Sequence, residues 1–292
     1  MAKPQQPRPV VLCADDYAIA PGVSRAIADL IRRDRLTATS CMAISPFWPE
    51  HAGWLQTLRE RADIGLHLTL TDAAPLSAMP HLAPLGRLPG LGRLLALALL
   101  RRLDATEIAG EVDRQIDRFV SNFGHPPDYI DGHLHVHQLP IVRDIVADRV
   151  RSLPNAYVRV CTEPASAILR RGIAVPRALV ISALGKGFRR QIDRARIPAN
   201  RRFAGVRDFD ERQPYRALMR RFLHSAPPGL LVMCHAGIAD ADLAAVDRVT
   251  TARDEEYRYL ASDEFPADLA AAGVVLSRFK ALAAPETSSA AG

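Results

Sequence analysis

A chain of 292 residues with 48% hydrophobic residues is long enough to bury a complete core, as one large α/β domain or as two smaller ones. No run in it approaches the roughly 20 consecutive apolar residues of a membrane-spanning helix, and no secretory signal precedes the first apolar run, so we expect a cytoplasmic protein. The net charge of +6 would suit a nucleic-acid-binding protein, but its distribution argues against that function.

The positive charge is concentrated in residues 170–202, the basic window. It holds ten Lys or Arg against Asp193 alone, which gives +9 there and −3 over the rest of the chain. Phe188 is its only aromatic residue, so we expect no nucleic acid partner. A solvated helix face is the simplest interpretation. Contact with an anionic membrane surface or with an acidic substrate is the main alternative, because 178–184 and the arginines that follow would form a basic amphipathic helix.

Seven short apolar runs predict β-strands, and five segments with apolar residues at three-to-four spacing predict amphipathic helices. Their alternation indicates βα units and a parallel sheet, and no G-x-G-x-x-G follows the first strand. We therefore predict the α/β class with a (β/α) barrel rather than a dinucleotide-binding open sheet. An incomplete or distorted barrel also fits the pattern. The predicted strands are 9–14, 37–44, 63–70, 129–131, 157–161, 229–234 and 273–277, and the predicted helices are 23–33, 105–123, 139–151, 213–224 and 253–262.

One (β/α)-barrel domain covering residues 1–282 is predicted, because polar residues at strand ends extend from Asp15 to His235. Residues 283–292 are predicted to form a flexible tail. Residues 73–103, after the third strand, interrupt the alternation with several prolines and glycines. Both a lid over the site and an ordinary surface excursion explain this insertion.

Asp15 and Asp16 end the first predicted strand. Adjacent residues there point to different sides, so one carboxylate can bind a cation while the other accepts a proton from activated water. Capping of the helix at 23–33 is the structural alternative. His67, on the third strand, lies on the face opposite its isoleucine and leucine neighbours, which suits a ligand better than a core residue when other histidines match it.

The sequence DGHLHVHQ at 131–138 is the most specific local pattern. His133, His135 and His137 have two-residue spacing and share one face of an extended segment, while the apolar residues between them take the other. Imidazoles with one carboxylate suit Zn²⁺ or a similar divalent ion, and three protein ligands leave a position for water or substrate. The remaining imidazoles and Asp131 are expected to orient the ligands or contact the substrate.

His235 follows the apolar run 230–233. Its position at a strand end makes it the candidate acid that protonates a leaving group, and a core histidine is the alternative.

These motifs resemble the YdjC-like carbohydrate deacetylases, which include chitooligosaccharide deacetylases (ChbG) and hopanoid-associated enzymes (HpnK), over most of the chain. Arg253, Glu256 and Tyr257 resemble the family's R-x-x-E-[YL] stretch, and an exposed charged helix is their alternative interpretation. The family's ADDFG element corresponds to 14–18, its G-x-H-x-x-L-T element to 65–71, its D-[SG]-H-x-H-x-H element to 131–137 and its M-C-H-P element to 233–236.

The resemblance implies one divalent metal ion, Mg²⁺ or Zn²⁺, bound by Asp16, His67 and His133. It further implies that Asp15 is the general base and His235 the acid. The residues expected to contact substrate or to support the ligands are Asp131, His135, His137 and Arg253.

Two departures from the family pattern concern the rim of the pocket rather than a reacting group. Ala18 replaces the usual glycine and Ala236 the usual proline. The stretch NRRFAG at 200–205 resembles the hopanoid-associated branch and adjoins the basic window. It favours a lipid-linked or membrane-proximal sugar as substrate.

The sequence therefore predicts a metal-dependent N-deacetylase acting on an N-acetylated amino sugar, chitooligosaccharide-like or lipid-linked, and leaves a homo-oligomer open. A metal phosphoesterase is the first alternative, although such sites usually open with H-x-H on the first strand. A non-catalytic protein that binds membranes or nucleic acid through the basic window is the second.

A Cys-dependent hydrolase is disfavoured, because Cys234 and His235 are adjacent in a strand and face opposite sides. The cysteines show no C-x-x-C spacing, so we expect them to be buried and reduced. They are Cys13, Cys41, Cys161 and Cys234.

Overall fold

The structure, a computed structural model, describes residues 6–210 and 212–283. Its strands are β1 (Arg8–Tyr17), β2 (Ala38–Cys41), β3 (Asp63–Leu68), β4 (Tyr129–Gly132), β5 (Tyr157–Val158), β6 (Arg202–Ala204), β7 (Leu230–Cys234) and β8 (Val274–Leu276). They form one sheet in which every described pairing is parallel. The order is β5-β4-β3-β2-β1-β7-β6, with β8 paired to the start of β1.

β1 lies at the centre of the sheet. It pairs with β7 over 10–14 and with β2 over 13–17. A strand covered on both faces consists of a nearly continuous hydrophobic run, as VVLCA at 10–14 does. The register against β2 shifts between residues 14 and 17, so Asp15 and Asp16 lie in an irregular stretch at the carboxyl end of the strand.

The two ends of the sheet approach each other. Val158 of β5 forms an isolated parallel bridge with Ala199, which precedes β6. The Asn200 side chain accepts from the Val160 backbone N–H at 2.7 Å and donates to the Val160 carbonyl at 3.0 Å. The parallel sheet is therefore curled, which confirms the α/β class and is consistent with the predicted distorted (β/α) barrel.

Helices cover the outside of the sheet, and all five predicted helices are confirmed to within a few residues. The sequence does not predict β6, a three-residue strand at the end of the basic window. The helices are α1 (Pro21–Arg32), α2 (Trp48–Leu55), α3 (Leu91–Leu99), α4 (Ala105–Phe123), α5 (Val142–Ser152), α6 (Ala165–Arg171), α7 (Val175–Ala195), α8 (Tyr215–Leu223), α9 (Ala241–Val246), α10 (Thr251–Ala261), α11 (Glu264–Ala271) and α12 (Phe279–Ala283).

The insertion at 73–103 contains α3 and contributes Leu91 and Leu95 to the wall of the cavity described below. Its movement as a lid stays a prediction, as does the single-domain boundary at 282. Apart from its first residue, the predicted tail at 283–292 lies outside the described residues. Within the described part of the chain, no helix combines the length and the apolarity that crossing a membrane requires.

Candidate active site

The carboxyl ends of five strands meet around one cavity of about 390 Å³. This is the position at which parallel α/β sheets usually bind ligands. Of the residues expected at the site, the structure places five in the lining of the cavity: Asp15, His67, His133, His135 and His235. Asp16, Asp131 and Arg253 are buried behind that lining; Asp16 and Asp131 contact His67, and Arg253 contacts Asp16.

Asp16 is the centre of a group of three potential metal ligands. Its Oδ1 lies 2.9 Å from Nδ1 of His133 and 3.2 Å from Nε2 of His67, and the donor atoms of the three residues all lie within 4.8 Å of one another. Its Oδ2 accepts from Nη2 of Arg253 at 2.5 Å. Burial alone would raise the pKa of Asp16, but the charges of Arg253 and His133 hold it well below its usual value. The predicted trio is therefore assembled around an ionised carboxylate.

Asp131 orients His67 from the opposite side of the ring. Its Oδ1 accepts from Nδ1 of His67 at 2.6 Å, which fixes Nε2 as the nitrogen that faces Asp16. Burial lowers the pKa of His67, but Asp131 and Asp16 together raise it to about 10. The two carboxylates therefore favour the protonated, positively charged form of this imidazole.

Asp15 has a different partner from its neighbour. Its two oxygens accept from the guanidinium of Arg159, Oδ1 from Nη1 at 2.6 Å and Oδ2 from Nη2 at 2.8 Å, and Ser40 donates to Oδ1 at 3.2 Å. Burial alone would raise the pKa of Asp15, but Arg159 and His67 hold it below its usual value. The adjacent carboxylates thus point to different sides, as predicted.

The capping alternative for this pair is wrong. The N-cap of α1 is Ala20, and the side chain that accepts from the first turn is Asp240, whose Oδ2 accepts from the Gly22 N–H at 2.6 Å.

A second trio within metal-ligand distance consists of Cys13, Asp15 and Asp131. The guanidinium of Arg159 already lies between its carboxylates, with Nη1 2.6 Å from Asp15 Oδ1 and 3.1 Å from Asp131 Oδ2. The charge of this trio is therefore compensated by arginine.

The expectation that 131–138 is extended is wrong. β4 ends at Gly132, and His133–Gln138 form a 3₁₀ segment kinked at Leu134 and His135, which have positive φ angles of 52° and 62°. The side chains therefore do not share one face. The two-residue spacing of the histidines is typical of a strand, so it predicts one. The spacing does not reveal that β4 ends at Gly132, before the first of these histidines.

The three histidines of this turn consequently have three environments. His133 and His135 line the cavity, and Nδ1 of His135 lies 3.5 Å from the Cys161 thiol. His137 is fully buried and donates from Nε2 to the Arg159 carbonyl at 2.8 Å. Burial and the nearby charge of Arg159 lower the pKa of His137 to about 3. His137 therefore supports the backbone that carries Arg159 instead of facing the cavity.

His235 lies beyond the end of β7, as predicted, and its backbone N–H donates to Oε2 of Glu256 at 2.5 Å. Burial lowers the pKa of His235 to about 4, although Asp16 and Asp15 act in the opposite direction. The imidazole is therefore neutral near pH 7. Burial raises the pKa of Glu256 to about 7, and Arg207 opposes that shift.

Sequence reasoning missed Arg159 and underestimated Arg253. Arg159 is fully buried, and the signal for it was a single arginine inside the apolar run YVRVC at 157–161, since a buried charge requires a partner. Arg253 is 2% exposed, so its alternative interpretation as part of an exposed charged helix face is wrong.

All four cysteines are buried and free, as expected. Burial raises the pKa of the Cys234 thiol well above its usual value, and the charge of Glu256 acts in the same direction. A thiol held protonated in this way is a poor nucleophile, which counts against a Cys-dependent hydrolase.

Comparison with known proteins agrees with this geometry. The family model described as "YdjC-like protein" matches residues 9–271. The chain belongs to the YdjC-like family. This assignment confirms the resemblance inferred from the motifs.

Two relatives of this YdjC-like chain are named chitooligosaccharide deacetylase, one from Yersinia pestis (strain Pestoides F) and one from Yersinia pseudotuberculosis serotype O:1b (strain IP 31758). Each is 36% identical over 148 residues, which is 50% of this chain and 57% of the relative. The matched region thus spans little more than half the length of these curated relatives.

The solved structure of a protein from Enterococcus faecalis V583 whose name refers to cellobiose-phosphate cleavage superposes on this chain with a TM-score of 0.74 at 19% sequence identity. It covers 96% of this chain and 100% of its own. At that identity the likeness shows a shared fold.

Proposed function

We propose that this chain is a metal-dependent N-deacetylase that removes acetate from an N-acetylated amino sugar. The observation that carries the proposal is the trio of Asp16, His67 and His133 beside a cavity that Asp15 and His235 also line. The relatives named chitooligosaccharide deacetylase support the reaction class.

The residues of the trio fit a divalent cation. Nδ1 of His67 donates to Asp131, and with a pKa of about 10 the ring also carries a proton on Nε2, which faces Asp16 Oδ1 at 3.2 Å. A divalent cation bound there would take the place of that proton between the imidazole and the carboxylate. Two imidazoles and one carboxylate suit Zn²⁺ and several other divalent ions, and they leave open positions for water and substrate.

A divalent ion held there would supply Lewis acidity and lower the pKa of water toward about 7. Asp15 is the group that takes a proton from the attacking water, because Arg159 keeps its carboxylate ionised and fixed in orientation. His235 delivers a proton to the departing amine. Because its pKa is about 4, His235 must gain that proton during the reaction rather than hold it beforehand.

The walls of the cavity favour an amphiphilic substrate. Apolar side chains from three separate elements line it, whereas a free oligosaccharide presents mainly hydroxyl groups. This composition supports a lipid-linked amino sugar over a free chitooligosaccharide. Lining residues of this kind include Leu91, Leu95, Val180, Leu184, Phe209 and Met233.

The test is acetate release from N-acetylglucosamine oligomers and from an N-acetylglucosaminyl lipid, with metal-loaded protein, chelated protein and His133→Ala. We expect release that depends on metal, is lost in His133→Ala and is faster with the lipid. His224→Ala is the matched control, because His224 is exposed and does not line the cavity. Absence of release from both substrates while the metal stays bound would contradict the proposal and favour another metal hydrolase.

A further inference from the structure

The insertion contains a segment of unusual composition, residues 85–102, which we call the leucine-arginine segment. Its sequence LGRLPGLGRLLALALLRR has eight leucines, four arginines and no acidic residue. It includes α3. A globular domain normally buries so many leucines or mixes them with charges of both signs.

Several of these leucines are exposed. Leu85, Leu99 and Leu100 are 94%, 56% and 67% exposed. Single exposed apolar residues are common, but a cluster of them marks a contact surface. The outward face of α3 carries only one charge. Its exposed residues, together with Leu100 directly after the helix, are Gly92, Arg93, Ala96, Leu99 and Leu100.

This outward face continues into the cavity. Leu91, Leu95 and Leu99 follow one another at four-residue spacing, so they form one stripe along α3. The first two line the cavity and the third is exposed. Leu134 and Val180 also line the cavity, and they are 38% and 57% exposed. The mouth of the cavity is thus rimmed by apolar side chains that reach solvent.

The arginines of the segment supply positive charge beside the exposed leucines, since Arg93 lies on the outward face of α3 and Arg101 and Arg102 directly follow Leu100. All four are exposed, and within residues 6–210 and 212–283 none forms an ion pair or a side-chain hydrogen bond. Arginines with no acidic partner beside exposed leucines match the two components of an anionic lipid surface, which are phosphate headgroups and acyl chains. The four are Arg87, Arg93, Arg101 and Arg102.

We propose that the leucine-arginine segment docks on an anionic lipid bilayer, with the mouth of the cavity facing the membrane. An amphiphilic amino-sugar substrate then passes from the bilayer into the cavity without crossing water. This last step rests on the proposed function, whereas the docking does not. Only the first part of the basic window belongs to this surface, because Arg177 and Val180 line the cavity whereas Arg190 and Arg194 line a groove between α5 and α7.

The test is flotation of the purified full-length protein with vesicles of phosphatidylcholine, with and without phosphatidylglycerol, at low and high salt. We expect binding that requires the anionic lipid and weakens with salt. The double variant L99E/L100E places two carboxylates on the docking face without touching the cavity, and we expect it to bind at least about tenfold more weakly. R101Q/R102Q removes two charges, each contributing about fivefold, and should weaken binding by more than about tenfold.

Two controls separate this surface from others. Val246 on α9 is 65% exposed, so V246E adds a carboxylate at a comparable apolar site and should leave binding unchanged. R190Q/R194Q tests the basic window and should also leave binding unchanged. Equal binding by wild type and L99E/L100E, or loss confined to R190Q/R194Q, would overturn the proposal.

Two further results would also overturn it. The first is a wild type that does not float with anionic vesicles. The second is a shift of L99E/L100E from dimer to monomer in sedimentation without vesicle binding, because a second copy of the chain would then cover the face. Acetate release from soluble oligomers should be the same in L99E/L100E and wild type. A failed deacetylase would instead show no release in the wild type, whatever its vesicle binding.

Discussion

Replacement of Arg159 by Met tests whether the site is held together by buried charge compensation. Arg159 is fully buried, makes two hydrogen bonds to Asp15 and lies 3.1 Å from Asp131. Met keeps most of the side-chain volume but leaves two buried carboxylates without their cation. Removal of one partner of a buried pair typically costs about 3–5 kcal/mol, so we expect a loss of that size in the free energy of unfolding, measured by urea denaturation.

A surface pair that also makes a two-pronged contact provides the control for this prediction. Arg149 contacts Asp113 through Nε at 2.5 Å and Nη2 at 3.0 Å, but the two side chains are 33% and 47% exposed. Arg149→Met should therefore cost less than about 1 kcal/mol. The double variant Asp15→Asn/Arg159→Met should lose less than the sum of the two single variants, because the pair is coupled. Equal losses in Arg159→Met and Arg149→Met would refute the argument from burial.

Three further outcomes follow from the site. Asp15→Asn should lower turnover by about 10²–10⁴ with its metal content unchanged by elemental analysis, and loss of the metal would make Asp15 a ligand instead. Zn²⁺ should raise the melting temperature of chelated wild type but not of His133→Ala, because only the native trio gains binding free energy; an equal rise in both would place the ion elsewhere. His137 is protonated below about pH 6.5 when unfolded and below about pH 3 when folded. The free energy of unfolding therefore decreases by about 1.4 kcal/mol for each unit by which the pH is lowered across that window. His137→Gln should flatten the fall measured by urea titration between about pH 6 and pH 4, and an unchanged slope would contradict the buried neutral imidazole.

The sequence was sufficient to predict the convergence of the site, because short apolar runs identify parallel strands and the polar residues follow at their ends. Asp16, His67 and His133 lie on or after β1, β3 and β4, and they meet as expected. The convergence of these residues can be predicted without knowing the order of the strands, because the carboxyl ends of all parallel strands lie at one edge of the sheet.

The turn after β4 could not be predicted from spacing. A Cβ at Gly132 would lie 3.0 Å from the backbone nitrogen of His137, so the glycine relieves a tight contact where the chain folds back. The pattern of alternating apolar residues gives no sign of this close approach. Arg159 was missed for a related reason, since its partner Asp15 lies 144 residues away along the chain and local patterns do not reveal such a pairing.

The two adjacent carboxylates receive different roles from their arginines. Both oxygens of Asp15 are occupied by Arg159, so this side chain is ionised and fixed but has no oxygen directed at the imidazoles. Arg253 occupies only Oδ2 of Asp16 and leaves Oδ1 facing His67 and His133. The difference follows from the guanidinium geometry, since a two-pronged contact engages one lone pair on each carboxylate oxygen, whereas a single contact leaves one oxygen free to face other groups. This geometry supports the proposal that Asp16 shares a cation with the imidazoles and that Asp15 exchanges protons with water.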